Sequence, residues 1–383
     1  MRENKILNNK PFLEGQEMAF IQEAISCNFI SGNGPFTKRC QDWFKENFSF
    51  PTTLLTTSCT DALEMSALLL NLKPGDEVIL PSYCFVSVAN AFLLHGATLR
   101  FADSTIDHPN IDPESIESLI NKKTKAIVVI HYAGMTADLD TISDICAKHN
   151  IYLIEDAAHA IGVKYKNKYL GTFGDLSVIS FHESKNISCG EGGCLIINNE
   201  KFKARAEVIL EKGTNRTEFR RGEVNKYEWV DLGASYLLSD INAAMLLAQL
   251  GQLEYINTKR RELWGRYFDA LKPLEDENKF ELPKVPKGGE GHNAHIFYIK
   301  LKHKLQRDDF LDWMNKAGIW AIFHYLPLHN SPYFKEKYQG EALPKSINFA
   351  NTIVRLPLHL YITDQDFEHI INCCRLYFQK LSD

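Results

Sequence analysis

A two-part α/β protein with a mostly parallel central sheet is the fold class this sequence predicts, and three observations carry that expectation. Between about residues 50 and 200, short β-branched runs alternate with helical periodicity, the order that sets parallel strands between two layers of helices. A long stretch over 239–271 opens with Ile241-Asn242-Ala243-Ala244-Met245 and ends in Lys259-Arg260-Arg261-Glu262, which reads as a helix bridging two units. Beyond it, 296–301, a helix over 307–317, 320–324 and a helix over 364–380 fit a smaller α+β unit. The boundaries follow: residues 1–250 form the large α/β unit with its N-terminal arm, and 251–383 form the small C-terminal unit with the linking helix.

Taken in order, the expected strands are 77–80, 98–102, 126–131, 151–155, 176–180 and 194–197, and the helices between them 61–70, 86–95, 113–120, 139–148 and 201–211. Asp112-Pro113 supplies a cap followed by a proline in the first turn, which satisfies one orphan amide and removes another. Residues 283–289, Pro-Lys-Val-Pro-Lys-Gly-Gly, read as a surface loop. No internal repeat or low-complexity tract is present.

With 383 residues, 45% hydrophobic and 24% charged, the composition is that of an ordinary globular enzyme. A net charge of -5 and a pI near 6.2 argue against nucleic acid or an anionic membrane as the main partner and for small ligands. The first twelve residues lack the apolar core of a signal peptide, and no run reaches bilayer length. Nine cysteines, an odd and scattered set, predict reduced thiols, a cytoplasmic location and no metal centre; Cys189 and Cys194 have no second pair to complete a zinc site.

Three motifs bear on chemistry. Thr57-Ser58-Cys59-Thr60 directly precedes a helix, where hydroxyls, amides and the helix dipole hold phosphate. On its own it reads more readily as a plain N-cap. Asp156 closes the apolar run Ile151-Tyr152-Leu153-Ile154 at the carboxyl end of a buried strand, where it either caps the next helix or faces a cation; strand alternation turns Glu155 the other way. Lys185, in Ser180-Phe181-His182-Glu183-Ser184-Lys185-Asn186, lies between a strand and the turn Gly190-Glu191-Gly192-Gly193. A lone lysine there is most often solvated. A phosphate cradle, a carboxylate and a lysine in this order are, however, what a cofactor with a phosphate, a pyridinium nitrogen and an aldehyde requires.

These runs, together with Pro81-Ser82-Tyr83-Cys84-Phe85-Val86 and Glu155-Asp156-Ala157-Ala158-His159, resemble the sugar aminotransferases of the DegT/DnrJ/EryC1/StrS family over nearly the whole chain. The resemblance implies the aspartate-aminotransferase-like fold of type I pyridoxal 5'-phosphate enzymes, a homodimer with sites at the subunit interface, and no metal. Carried over by position, Lys185 is the Schiff-base lysine and proton shuttle, and Asp156 the pyridinium partner. His159 lies beside the phenolic oxygen, Phe85 stacks on the ring, and Ser58, Cys59, Thr60 and Ser180 hold the phosphate. Segments 211–216, 221–229 and 323–329 resemble members that serve bacterial surface polysaccharides. They nominate Lys212, Arg216, Tyr227, His324 and His329 as contacts to a nucleotide-linked sugar, dTDP-4-keto-6-deoxy in kind, with glutamate as amino donor. The alternatives are a 3-keto sugar or another nucleotide, a sugar dehydratase and a non-catalytic sugar-nucleotide-binding regulator. Dehydratase relatives carry histidine in place of the lysine, and His182 stands three residues too early for that.

Overall fold

A computed structural model of the chain describes residues 5–285 and 291–381; most of the expected 283–289 loop thus lies outside the described residues. The strands are β1 (Thr53–Thr56), β2 (Glu77–Pro81), β3 (Thr98–Ala102), β4 (Thr124–Ile130), β5 (Tyr152–Asp156), β6 (Lys164–Tyr165), β7 (Lys168–Tyr169), β8 (Leu176–Ser180), β9 (Gly193–Ile197), β10 (Phe297–Lys300) and β11 (Ile353–Leu356). The helices are α1 (Glu17–Ser26), α2 (Pro35–Phe48), α3 (Cys59–Leu69), α4 (Val86–Leu93), α5 (Pro113–Leu119), α6 (Leu139–His149), α7 (Lys203–Leu210), α8 (Arg216–Arg221), α9 (Asp240–Asp276), α10 (Lys304–Lys316), α11 (Pro344–Thr352) and α12 (Asp364–Lys380).

Seven strands form one sheet in the order β1-β9-β8-β5-β4-β2-β3. From β8 through β3 every pairing is parallel, whereas β9 runs antiparallel to both β8 and β1. The sheet is thus mostly parallel, as the alternating pattern predicts. The exception has a simple cause: residues 181–192 between β8 and β9 contain no crossover helix, and a chain that does not cross over returns antiparallel.

Side chains alternate across this sheet with period two. Leu55, Ile79, Ile127, Leu153, Ile179 and Ile196 enter one core with α2, α6 and the first half of α9. Leu54, Val78, Val128, Ile154, Val178 and Leu195 enter the other with α3, α4 and α7. Both faces are therefore covered, as a parallel sheet requires. Asp156, two residues beyond Ile154, emerges on the α3 side, and Glu155 shares the other face with Leu153.

The C-terminal unit packs β10, β11, α10 and α12 around Tyr267, Phe297, Phe310 and Phe378. Helix α9 is continuous from the large core, through Leu250 and Ile256, into this second core at Leu263 and Leu271. The N-terminal arm joins the second core too: Ile6 pairs with Ile319, and Asn8 Nδ2 donates to Trp320 O at 3.2 Å. Among the described residues the 320–324 segment makes a bridge of Ile322 to Arg355 on the free edge of β11 rather than a strand. Among the described residues no helix is long and apolar enough to cross a membrane.

Candidate active site

A cavity of about 590 Å³ opens where the carboxyl ends of β5 and β8, the start of α3 and the C-terminal unit meet. Its walls include Ser58, Cys59, Thr60, Phe85, Asp156, His159, Ser180 and Lys185, so all eight expected cofactor residues, scattered over 128 positions of sequence, converge on one space. This is the position at which ligands bind in open α/β sheets.

One end of the cavity is built by the start of α3. Ser58 is its N-cap in extended conformation, its Oγ accepting from Asp61 N at 3.1 Å. The first amides of the helix have no intrahelical acceptor and lie beside the Ser58 and Thr60 hydroxyls, with Ser180 opposite on β8. That end suits a phosphate. Its shape depends on Gly193: a Cβ there would lie 2.6 Å from both Ser58 C and Cys59 Cα.

Asp156 is buried, and its Oδ1 accepts from Ala158 N at 2.9 Å. Burial pushes its carboxyl above the usual range, against the opposing pull of that amide, of Lys185 and of His131. A buried carboxylate that accepts one hydrogen bond among the described residues calls for a cation. Lys185, half-buried across the cavity, has its ammonium pulled down to about 8; burial is the main cause, and Cys59 and Asp156 only partly offset it. A large share of Lys185 is therefore a neutral amine near pH 8, the form that attacks an aldehyde.

Phe85, the residue before α4, is 55% exposed and borders the cavity, an apolar face with no partner over much of its area. Opposite stands a buried imidazole and phenol cluster. His159 Nδ1 lies 3.4 Å from Ala133 N and its Nε2 3.4 Å from the Tyr325 hydroxyl, while the His295 ring lies 4.3 Å away. Burial, with Lys185 and Arg355 adding to it, holds His159 well below the ordinary imidazole range, so it is neutral. Tyr325 itself sits at φ +45°, a left-handed conformation that costs a bulky residue about 1–3 kcal/mol.

The donor set fits pyridoxal phosphate part for part: helix amides and hydroxyls for phosphate, Asp156 for the ring nitrogen, Phe85 for the ring face and Lys185 for the aldehyde. Fold and site together define a pyridoxal-phosphate-dependent aminotransferase. The chain belongs to the DegT/DnrJ/EryC1/StrS aminotransferase family, whose model matches residues 11–375, and it is a sugar aminotransferase of that family. Among solved structures it is similar to the aminotransferase TlmJ from Streptoalloteichus hindustanus, at 28% identity and a TM-score of 0.90, covering 99% of this chain and 100% of that one. It is also similar to Helicobacter pylori PseC, an aminotransferase involved in the biosynthesis of pseudoaminic acid, at 25% identity and TM-score 0.90 over 98% and 100% of the two chains. NtdA from Bacillus subtilis, solved with bound cofactor PMP, matches at 25% identity and TM-score 0.86 over 99% of this chain and 87% of that one.

The expected sugar contacts are placed unevenly. His324 lines the cavity, its Nδ1 2.8 Å from the Tyr132 hydroxyl. His329 does not: it is buried with Nδ1 2.6 Å from Ser82 Oγ and its ring against Tyr338, so it ties the C-terminal unit to the end of β2. Lys212, Arg216 and Tyr227 also stand outside this chain's cavity; Arg216 lies over the Tyr227 ring, 5.9 Å from its centroid, and 3.9 Å from the buried Glu211. Phe323 and Tyr325, from the same 323–329 segment, line the cavity with His324, and Arg355 and His295 line it without having been expected there. Arg355 left one trace in the sequence, a charge inside the otherwise apolar run Ile353-Val354-Leu356.

Proposed function

We propose that this sugar aminotransferase moves the amino group of glutamate to a dTDP-linked 4-keto-6-deoxy sugar in the cytoplasm. The product is a 4-amino-4,6-dideoxy sugar for surface polysaccharide such as the O-antigen of lipopolysaccharide. The activity is that of a dTDP-4-amino-4,6-dideoxygalactose transaminase. The observation that carries amino transfer is Lys185, a half-buried amine with its pKa lowered to about 8, set in one cavity with the Asp156 carboxyl. The choice of sugar rests on the likeness of segments 211–216, 221–229 and 323–329.

Pyridoxal phosphate, when bound, supplies an aldehyde for the amine and a protonated ring that draws electrons from the carbon losing its proton. Asp156 keeps that ring nitrogen protonated by charge. Lys185 Nζ takes a proton from the donor carbon and later delivers one to the sugar carbon, which requires an amine that is neutral and not locked to a carboxylate. No ion pair holds Lys185 among the described residues, and Phe85 and the neutral His159 flank the reacting centre. Working as a homodimer, the protein brings Lys212, Arg216 and Tyr227 of one copy toward the cavity of the other, the two cations suited to the diphosphate.

The test is a panel of dTDP-, UDP- and GDP-linked 4-keto-6-deoxy sugars with glutamate, the product read by NMR. Amination at C4 of the dTDP sugar is expected; preference for another nucleotide, or an amine at C3, would sink the sugar assignment. Lys185→Ala should cut turnover by about 10²- to 10⁴-fold, and retained turnover in that variant would remove Lys185 from the role of proton carrier.

A further inference from the structure

Amino transfer moves protons at two kinds of atom, and Lys185 serves the carbon. When the sugar's carbonyl becomes an amine, its oxygen leaves as water, and both protons of that water come from the nitrogen that replaces it. Three imidazoles and a phenol bordering the cavity are poorly suited to carry them. Burial holds His159, His295 and His324 well below the ordinary imidazole range and pushes the Tyr325 hydroxyl up. The 181–192 connection, which bears Lys185, offers a different set: His182, Ser184 and Glu191 all border the cavity. Ser184 N donates to His182 Nδ1 at 3.1 Å, and since an amide only donates, Nδ1 presents a lone pair and a neutral ring keeps its hydrogen on Nε2. Ser184 Oγ, 2.8 Å from the same Nδ1, therefore turns its own hydrogen to the ring. At the ring's other nitrogen, Glu191 Oε1 stands 3.6 Å from Nε2. The His182 side chain is 43% exposed, so it keeps the contact with water that the three buried rings lack. Hydroxyl, imidazole and carboxylate in series are the order in which a hydroxyl is made to exchange its proton.

We propose that Ser184 is a further catalytic residue, carrying protons between nitrogen and oxygen as water leaves or joins the substrate carbon, with His182 and Glu191 as its positioning residues; this rests on the amino-transfer reading above. As the C–N bond forms, the π pair of the carbonyl moves to oxygen. Ser184 Oγ takes a proton from the nitrogen while passing its own to His182 Nδ1. The imidazolium, beside Glu191, returns that proton through Oγ to the oxygen. A second passage supplies the other proton, the C–O bond breaks with its pair leaving on water, and the nitrogen's pair closes the C=N bond. The same steps in reverse consume water to free the keto acid left by glutamate.

The experiment follows two rates in cofactor-loaded wild type, Ser184→Ala and Ser184→Thr. One is loss of deuterium from α-deuterated glutamate to solvent, which needs Lys185; the other is release of the keto acid, which needs water. In Ser184→Ala, deuterium loss should stay within about twofold of wild type while keto-acid release and sugar amination fall about 10²-fold or more. Ser184→Thr keeps a hydroxyl and should recover most of that loss. His182→Gln should slow the same step, and the double variant no more than either single one. Equal loss of both rates, unchanged release in Ser184→Ala, or additive losses in the double variant overturns the assignment. The tautomer is checked without turnover: nitrogen NMR of His182 in cofactor-free wild type, in mildly alkaline buffer, should show a bare Nδ1 and a protonated Nε2. A proton on Nδ1 overturns the relay whatever the variants do, so the proposal stays decidable even if Ser184→Ala does not fold. A wild type that washes no deuterium from glutamate instead sinks the transaminase reading itself.

Discussion

Glu155 and Asp156 are neighbours on β5 that point to opposite faces, so one strand end exposes two carboxylates to opposite electrostatics. Glu155 is fully buried, which by itself raises its pKa; His131 Nε2 at 3.0 Å and the amides of Gly171 and Phe173 outweigh that and hold it below the usual carboxylate range. Gly174 N and Ser177 Oγ add two further donors. A carboxyl depressed by folding contributes stability that is complete above its unfolded pKa and is lost as pH falls through the folded one. Glu155→Gln should therefore cost about 3–5 kcal/mol at neutral pH, as when one partner of a buried charged network is removed, and should flatten the acid limb of the stability curve. Urea melts of both proteins from pH 7 downward check this; parallel acid limbs would refute it. Lys185 behaves in the reverse sense. Its amine is neutral above about pH 8, so acylation of Lys185 by acetic anhydride in cofactor-free protein, read by mass spectrometry, should rise about tenfold per pH unit below 8 and level off above it. A rise continuing to pH 10 would show an ordinary surface amine.

Helix α3 and strand β9 carry the phosphate end of the cavity between them, and their closeness hangs on one missing methyl group. Thr56 pairs with Gly193, and the α3 N-terminus starts directly above. Because both neighbours are backbone, Gly193→Ala cannot be absorbed by a rotamer change and must part the two elements. About 1–3 kcal/mol of stability should be lost, as in other overpacked sites, and pyridoxal phosphate should bind about tenfold or more weakly; an absorbance titration that matches wild type would mean that the cradle tolerates separation. At this scale the sequence was largely legible. Apart from the two-residue strands β6 and β7, strands and helices from β2 to α7 lie close to where periodicity put them, and α3 begins where a serine cap precedes a helical run. Strand β1, four residues long, carries too little pattern to be seen, and the reversed direction of β9 is a property of the connection, not of the strand's own residues. Asp156 and the Ser58–Thr60 run stand out locally, at a strand end and a helix start, whereas Lys185, Phe85, His159 and Ser180 are nominated by the family resemblance. Arg355 and His295 were not readable, since they reach Lys185 only through the docking of a unit encoded more than a hundred residues later.

The whole molecule leaves a surface that one chain does not use. Trp229 is 79% exposed and Leu232 60%, with Tyr227 and Val230 also open to solvent on the same segment. Asn33 Nδ2 donates to Glu211 Oε1 at 2.9 Å, which ties this segment to the stretch carrying the exposed Phe29 and Ile30. Contiguous apolar surface of this kind marks an association face. It is also where Lys212, Arg216 and Tyr227 stand, away from their own cavity, so the proposed dimerisation through it would account both for the apolar side chains and for polar residues that lack a site in their own chain. Sedimentation should give twice the 43.7 kDa of the chain. Trp229→Ala should weaken association by about 2 kcal/mol or more, as truncating an aromatic anchor does. Its activity should then follow the dimer fraction as protein concentration is raised. A monomer with full turnover would break the link between this surface and the active site, and would leave Lys212, Arg216 and Tyr227 as nothing more than a solvated loop.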